Sequence, residues 1–507
     1  MASIAQILER NARRAPEREA LVYESARYTY RQLNDRVNQT ARALALRSVD
    51  HGDRVALMCP NTDEFVIAYY AILRLGALVV PINARLAPPE LEYQLKDSGA
   101  TLILFDPSLS DVVDRALKLW SVDALPLTPH ADRADLATLA NQQSTDALNI
   151  QVHEWDDAQI LYTSGTTGLP KGVLMDHHRV IWTALNVVMG TGLGEGERLL
   201  HVAPLYHSAE LDLFLMGGTY LAATHVILGQ FHPAGVVKTL ASEHITAFFG
   251  VPTMYQFMLR DPDFDSVDLS AWRVGMFGAA PMPPSTVLEL AERLPHLTLY
   301  NLAGLTEMGP GGVFLGGDEL KENPGAAGRP ILNTEARVVD AEGHDVGPGV
   351  VGELWLTGET LMKGYWNKPG ETKATMHGDW LKTGDLASFD ARGLITLVDR
   401  MKDMVITGGM NVYSVEVENV LITHPAILDC AVIGVPHPDY GETLTAIVSL
   451  KPDHSLTLDD LKDFCRSRIA AYKIPRKLII TAIPRNASGK ILKYQLRQQY
   501  GQGNAAT

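Results

Sequence analysis

Apolar and polar positions change period several times along the chain. Ile4, Ile7 and Leu8 repeat at helical spacing, so the N-terminal stretch predicts an ordinary amphipathic helix. Arg54–Met58 predicts a short strand, Asp63–Leu75 a helix, Ala77–Pro81 a strand and Thr101–Phe105 another. Strands alternating with helices in this rhythm predict βαβ units, largely parallel sheets and an α/β fold. The longest apolar tract, Val66 to Ile82, is broken by Arg74 and Gly76. It predicts a core helix followed by a strand, with no transmembrane segment. Residues 106–155 are less regular, with scattered Pro and Asp, and are expected to include surface connections. From Gly328 to Arg400 glycines recur between short runs such as Glu353–Thr357 and Leu394–Asp399, which predicts a small antiparallel β unit.

Charge adds a boundary. The 507 residues carry a net charge of −15, which disfavours a general nucleic-acid or anionic-membrane surface. Residues 400–507 hold 13 basic and 10 acidic residues, so residues 1–399 carry −18 and the remainder +3. The expected division is a large N-terminal domain, 1–399, with a small β subdomain, and a mobile α+β lid, 400–507. A positive tail beside a negative body suits a small polyanion. Cys59, Cys430 and Cys465 have no metal-ligand spacing and cannot build a disulfide framework, which predicts a reducing, cytoplasmic setting. Met1 to Ala20 includes Glu9, Glu17 and Glu19 and lacks a secretory apolar region, and no C-terminal address is expected from Ala-Ala-Thr.

The strongest chemical signal is Tyr162-Thr-Ser-Gly-Thr-Thr-Gly-Leu-Pro-Lys-Gly-Val173. A strand ending in hydroxyls and glycines, closed by Lys171, offers backbone N–H groups, hydroxyl donors and a point charge to an anion. The run is a phosphate loop by chemistry and does not match the Walker A pattern.

With this loop the chain resembles the adenylate-forming superfamily of acyl-CoA synthetases, luciferases and peptide-synthetase adenylation domains. The pattern is nearest to bacterial fatty-acyl or aryl-CoA ligases. Six further segments follow in the family's order: Pro204-Leu-Tyr-His207, Gly278-Ala-Ala-Pro281, Leu305-Thr306-Glu307, Thr383-Gly384-Asp385, Arg400 to Asn411, and Pro484-Arg-Asn-Ala-Ser-Gly-Lys490. The resemblance implies ATP binding by Thr163, Ser164, Gly165, Thr166, Thr167, Gly168, Lys171, Gly278, Ala279, Ala280, Asn301, Asp385 and Arg400. It implies catalytic roles for Lys490, Thr306, Glu307 and His207, with Mg²⁺ on Glu307. Lys402 is implied as the hinge of the lid, and Gly408 and Gly409 as the tunnel for the coenzyme A arm. The apolar tracts Leu205–Leu215, Phe248–Tyr255 and Ala303–Leu315 are implied walls of an acyl pocket. These roles agree with elementary chemistry: ATP and a carboxylate repel, so cations must neutralise the charge that develops between them.

One departure stands out. In Tyr300-Asn301-Leu302-Ala303-Gly304 an alanine occupies the place where the family carries an aromatic ring stacked on adenine. The implied reaction is adenylation of a carboxylic acid by ATP and transfer of the acyl group to coenzyme A. Transfer to an amine or to a carrier-protein thiol would use the same adenylation motifs. A non-catalytic nucleotide binder fits less well with Lys171, Glu307, Asp385 and Lys490 all intact, and an oxygen-dependent luciferase would be revealed by light from an adenylate in air. The acid is unnamed by sequence, and both monomer and homodimer stay open.

Overall fold

The computed structural model describes residues 3–130, 133–163, 169–280, 282–485 and 490–501. The fold is α/β, and two compact units form within it. The first gathers Met1–Pro324, Pro330–Glu335 and Leu356–Leu381; the second gathers Gly325–Arg329, Ala336–Trp355 and Lys382–Thr507. The strands that flank residue 400 therefore pack with the C-terminal residues.

Two sheets build the first unit. One is seven-stranded, in the order Gly364–Tyr365, Lys171–Asp176, Asp157–Thr163, Leu78–Ile82, Arg54–Met58, Leu102–Phe105, Asp123–Pro126. Its centre is parallel, and Leu78–Ile82 and Leu102–Phe105 are buried at every position. Helices covering both faces of a parallel sheet explain these unbroken apolar runs. The helix Asp63–Arg74 starts where the Thr62 hydroxyl accepts from the Phe65 N–H, with Asp63 and Glu64 complementing the helix dipole in the first turn. The expected surface stretch 106–155 does contain regular structure: the helices Ser110–Leu117 and Leu136–Asn141 and the edge strand Asp123–Pro126.

The second sheet of this unit runs Gly312–Gly316, Thr298–Gly304, Val274–Gly278, Ala247–Gly250, Arg198–His201, Thr224–Ile227, Glu19–Tyr23, Ala26–Thr29. Between Arg198–His201 and Thr224–Ile227 of this sheet the chain forms a π-helix, Ala209–Leu215, buried at every residue. Among the described residues no helix is long and apolar enough to cross a membrane.

In the second unit Trp380–Phe389 and Ile395–Arg400 pair antiparallel, as the glycine-rich texture predicts. A further sheet of Met410–Val412, Val405–Thr407, Gly441–Leu450 and Ile427–His437, with Lys477–Ile480 parallel to Gly441–Leu450, packs against the helices Ser414–Leu421 and Leu458–Arg466. The core there includes Val405, Val417, Leu421, Val432, Leu444 and Leu461.

Candidate active site

The strand Asp157–Thr163 delivers Thr163, and the returning strand places Lys171 opposite it in register. Ser164, Gly165, Thr166, Thr167 and Gly168, predicted to cradle phosphate, lie outside the described residues. The Lys171 ammonium stands 4.5 Å from the centroid of the Tyr365 ring and 3.0 Å from Glu371 Oε2. Tyr365 in turn donates its hydroxyl to Glu307 Oε1 at 2.8 Å. Burial and the Glu307 charge push that phenol up, so it stays a donor. Thr306 Oγ1 lies 2.9 Å from Ser208 Oγ. A continuous polar line thus runs Lys171, Tyr365, Glu307, Thr306, Ser208.

Tyr365, Glu371 and Ser208 were not among the predicted site residues. Tyr365 reaches the site because the two-residue strand Gly364–Tyr365 pairs with Lys171–Asp176, and the Met362 N–H donates to the Glu307 carbonyl at 2.8 Å. The only sequence hint is the Gly-Tyr pair ahead of Pro369.

Thr306 and Glu307 sit in a one-turn helix directly after Thr298–Gly304. On that strand Leu302 points into the core, while Asn301 and Ala303 lie half-buried on the opposite face, as a period of two requires. Gly278 ends the neighbouring strand, and a Cβ there would come within 2.5 Å of the Leu302 carbonyl oxygen, so only glycine allows the approach. Ala279 follows with φ +66°, a left-handed conformation that costs an alanine about 1–2 kcal/mol. Ala280 follows in the same bend.

His207 is half-buried immediately before the π-helix. Its Nδ1 accepts from the Ala209 N–H at 3.3 Å, and its backbone N–H donates to the Pro204 carbonyl at 2.9 Å.

The second unit brings together the other predicted residues. Asp385 and Arg400 are direct partners across the antiparallel pair, with Arg400 Nε 3.2 Å from Asp385 Oδ1. Burial raises the Asp385 carboxyl, opposed by the charges of Arg400 and Lys490. Lys490 belongs to the same group: burial and the Arg400 guanidinium push its amine down to about 7, against the pull of Asp385. The helix Lys493–Tyr500 begins three residues later and is held firmly. Lys493 Nζ donates to Ser414 Oγ at 2.6 Å and pairs with Glu418 at 2.7 Å. The Ser414 hydroxyl and N–H both donate to Asp399 Oδ2, and Arg497 pairs with Asp403. These contacts anchor the segment carrying Lys490 to the end of the strand that carries Arg400.

Lys402 is exposed, one residue before Asp403. Gly408 and Gly409 join Val405–Thr407 to Met410–Val412 with φ +58° and +78°. Positive φ at both centres of a two-residue hairpin is the type I′ geometry, so the tight turn alone already calls for this glycine pair. Among the described residues no three His, Cys, Asp or Glu side chains converge as a metal cage.

Comparison with known proteins identifies the family. The family model for AMP-binding enzymes matches residues 8–366, and the model for the C-terminal domain of AMP-binding enzymes matches 416–490. A feruloyl-CoA synthase from Amycolatopsis sp is 36% identical over 493 residues, covering 97% of this chain and 98% of that protein. Among solved structures, the anthranilate CoA ligase AuaEII in complex with anthranoyl-AMP superposes with a TM-score of 0.91 at 30% identity, covering 98% of this chain and 97% of that one. The o-succinylbenzoate coenzyme A synthetase MenE from Bacillus subtilis, in complex with ATP and magnesium ion, gives 0.87 at 30% identity, covering 97% and 99%. With both family models matched in order and relatives aligned end to end, the chain belongs to the family of AMP-binding enzymes.

Proposed function

We infer that this chain is an AMP-forming acid–thiol ligase that converts a carboxylic acid, ATP and coenzyme A to acyl-CoA, AMP and pyrophosphate. The observation that carries this reading is the polar line from Lys171 through Tyr365 and Glu307 to Thr306, a cation, a hard carboxylate and a hydroxyl assembled on one rim. In the first half-reaction a substrate carboxylate oxygen attacks the α-phosphorus in line, and the bond to pyrophosphate breaks. Lys171 and Lys490 offset the charge that builds on the phosphates. Thr306 donates to the α-phosphate, and Asp385 accepts from the ribose hydroxyls with Arg400 beside it. In the second half-reaction the coenzyme A sulfur attacks the acyl carbon and AMP leaves. Mg²⁺ suits Glu307, because this dication is commonly held by one or two carboxylates plus substrate phosphates and needs no protein cage. When bound it would neutralise phosphate charge.

The relatives named above carry aryl acids in their titles, and the tracts around the π-helix are apolar, so an aryl or other largely apolar acid is the proposed class. Three free, buried cysteines support a cytoplasmic setting. Pyrophosphate release over a panel of aryl and fatty acids, with and without coenzyme A, tests the reading. Coenzyme A-independent release with coenzyme A-dependent product is expected; turnover only with an amine acceptor would replace coenzyme A in the scheme.

Two further outcomes follow from individual residues. The lid is proposed to pivot at Lys402, and a pivot must change φ and ψ between the two half-reactions. Proline fixes φ near −65° and removes the N–H. Lys402→Pro should keep acyl-AMP formation within about tenfold, while conversion of supplied acyl-AMP to thioester falls much further. A thermal melt separates this from misfolding, which would lower both rates together. Ala303 shares a strand face with Asn301, where a ring could lie on adenine. Ala303→Tyr should tighten ATP binding by about 1 kcal/mol if the position faces adenine. Unchanged ATP binding with loss of bulky acids would instead assign the position to the acyl pocket.

A further inference from the structure

The π-helix Ala209–Leu215 carries two carboxyl groups, Glu210 and Asp212, both with no solvent exposure. Residues two apart on a helix point to nearly opposite sides, and these two reach different sheets. Asp212 Oδ1 accepts from Gln159 Nε2 at 2.7 Å, and Gln159 Oε1 accepts from the Tyr69 hydroxyl at 2.8 Å. Gln159 lies on the strand that ends at Thr163 and the phosphate loop. On the other side Glu210 Oε1 is 2.6 Å from His201 Nδ1, in the sheet that carries Thr298–Gly304. Immediately before the π-helix are His207 and Ser208, and Ser208 meets Thr306. One buried turn therefore joins the phosphate-loop strand, His207 and the threonine–glutamate turn.

Placing the Thr219 proton on the Leu215 carbonyl assigns the remaining protons of the chain. His201 Nε2 is 2.9 Å from His225 Nδ1, and His225 Nε2 is 3.1 Å from Thr219 Oγ1. Thr219 donates its one proton to the Leu215 carbonyl at 2.9 Å and accepts from the Tyr70 hydroxyl at 2.7 Å. With that proton committed, His225 Nε2 must be the donor to Thr219. His225 Nδ1 then accepts from His201 Nε2–H, and His201 Nδ1 accepts from Glu210. Only a protonated Glu210 can donate there. Burial acts in the same direction, raising the Glu210 carboxyl and lowering both imidazoles.

We propose that Glu210 and Asp212 are positioning residues of the adenylation step: as two buried anchors, Glu210 donating to His201 and Asp212 accepting from Gln159, they hold the π-helix so that Ser208 and His207 stand in register with Thr306. A π-helix is rare, and it commonly marks a functional site. The inference rests on the adenylation reading above.

Glu210→Leu and Glu210→Gln test it in the full-length enzyme, with pyrophosphate release, the ATP KM and thermal melting measured for each. Glu210→Leu is expected to melt cooperatively but lose about 10²-fold in kcat, the scale of a misplaced reacting group, with the ATP KM changed less than threefold. The Gln amide can donate as the acid does, so Glu210→Gln should recover kcat to within about threefold of wild type. A folded Glu210→Leu enzyme with wild-type kcat overturns the proposal. So does a Glu210→Gln enzyme slowed more than tenfold, an outcome that decides the matter even if the Leu variant does not fold. An infrared difference between wild type and Glu210→Gln should contain the carbonyl band of a protonated carboxyl; a carboxylate band there refutes the neutral anchor. This last readout needs no turnover. A wild type that releases no pyrophosphate with any acid would defeat the adenylation reading while leaving the proton assignment testable.

Discussion

Lys490→Ala is expected to slow acyl-AMP formation by about 10²–10³-fold, the cost of removing one preorganised charge from a phosphoryl-transfer transition state. Conversion of supplied acyl-AMP to thioester should fall far less if, as proposed above, the segment carrying Lys490 turns away between the two half-reactions. Equal losses in both half-reactions would sink that division of labour. The ionisation of Lys490 supplies a second arm. Burial and Arg400 push its amine down to about 7 in the substrate-free protein. A depressed pKa means the cation is lost as pH rises, so kcat/KM for Mg·ATP, which reports the free enzyme, should decline above about pH 7. The bound triphosphate favours the charged amine, so the corresponding decline in kcat should lie at higher pH. Lys490→Arg keeps a permanent cation and should abolish the decline, though its planar head will not restore the full rate. A wild-type kcat/KM flat from pH 6 to 9 would show that the ionisation of Lys490 does not limit the reaction.

Sequence made some of this site legible and hid the rest for identifiable reasons. Lys171, Thr306 and Glu307 are readable because glycines and hydroxyls cluster around them within a few residues. Asp385 and Arg400 are readable as separate motifs, but their mutual contact is a fact of strand register, fifteen positions apart along the chain. Tyr365 lies 58 residues from its partner Glu307, on a two-residue strand too short to leave any periodic signal. Ser208 has an unremarkable side chain until the π-helix turns it towards Thr306. The tract Leu205–Leu215 reads as apolar wall, and its two acids look like interruptions. In the fold they are the two groups that tie the turn to both sheets. The central parallel strands were legible to within a residue because both faces are buried. The edge strand Asp123–Pro126, with only Leu125 and Pro126 buried, offers too little pattern to distinguish it from a loop.

Glu307→Gln should reduce adenylate formation by about 10²-fold or more at limiting Mg²⁺. The substitution isolates charge. Glu307 accepts the Tyr365 hydroxyl through Oε1 at 2.8 Å, and a glutamine carbonyl can accept the same bond. The turn Thr306–Met308 should therefore keep its shape, together with the Met362 N–H bond to the residue 307 carbonyl. What is lost is the anionic oxygen pair that a hard dication prefers, and a neutral amide is a poorer ligand. Raising Mg²⁺ should recover part of the rate, since a weakened site still fills by mass action. Tyr365→Phe supplies the complementary deletion: it removes the hydrogen bond and leaves the charge. A hydrogen bond to a charged group contributes about 1.5–3 kcal/mol, so its loss should cost about tenfold to a hundredfold, with little change in Mg²⁺ dependence. It also keeps the aromatic face beneath Lys171, 4.5 Å from the ammonium, so that cation need not move. The two variants should thus separate by their response to Mg²⁺ more than by the size of the loss. If Glu307→Gln forms adenylate at the wild-type rate in limiting Mg²⁺, Glu307 does not hold the metal, and its bond to Tyr365 serves only to fix the turn.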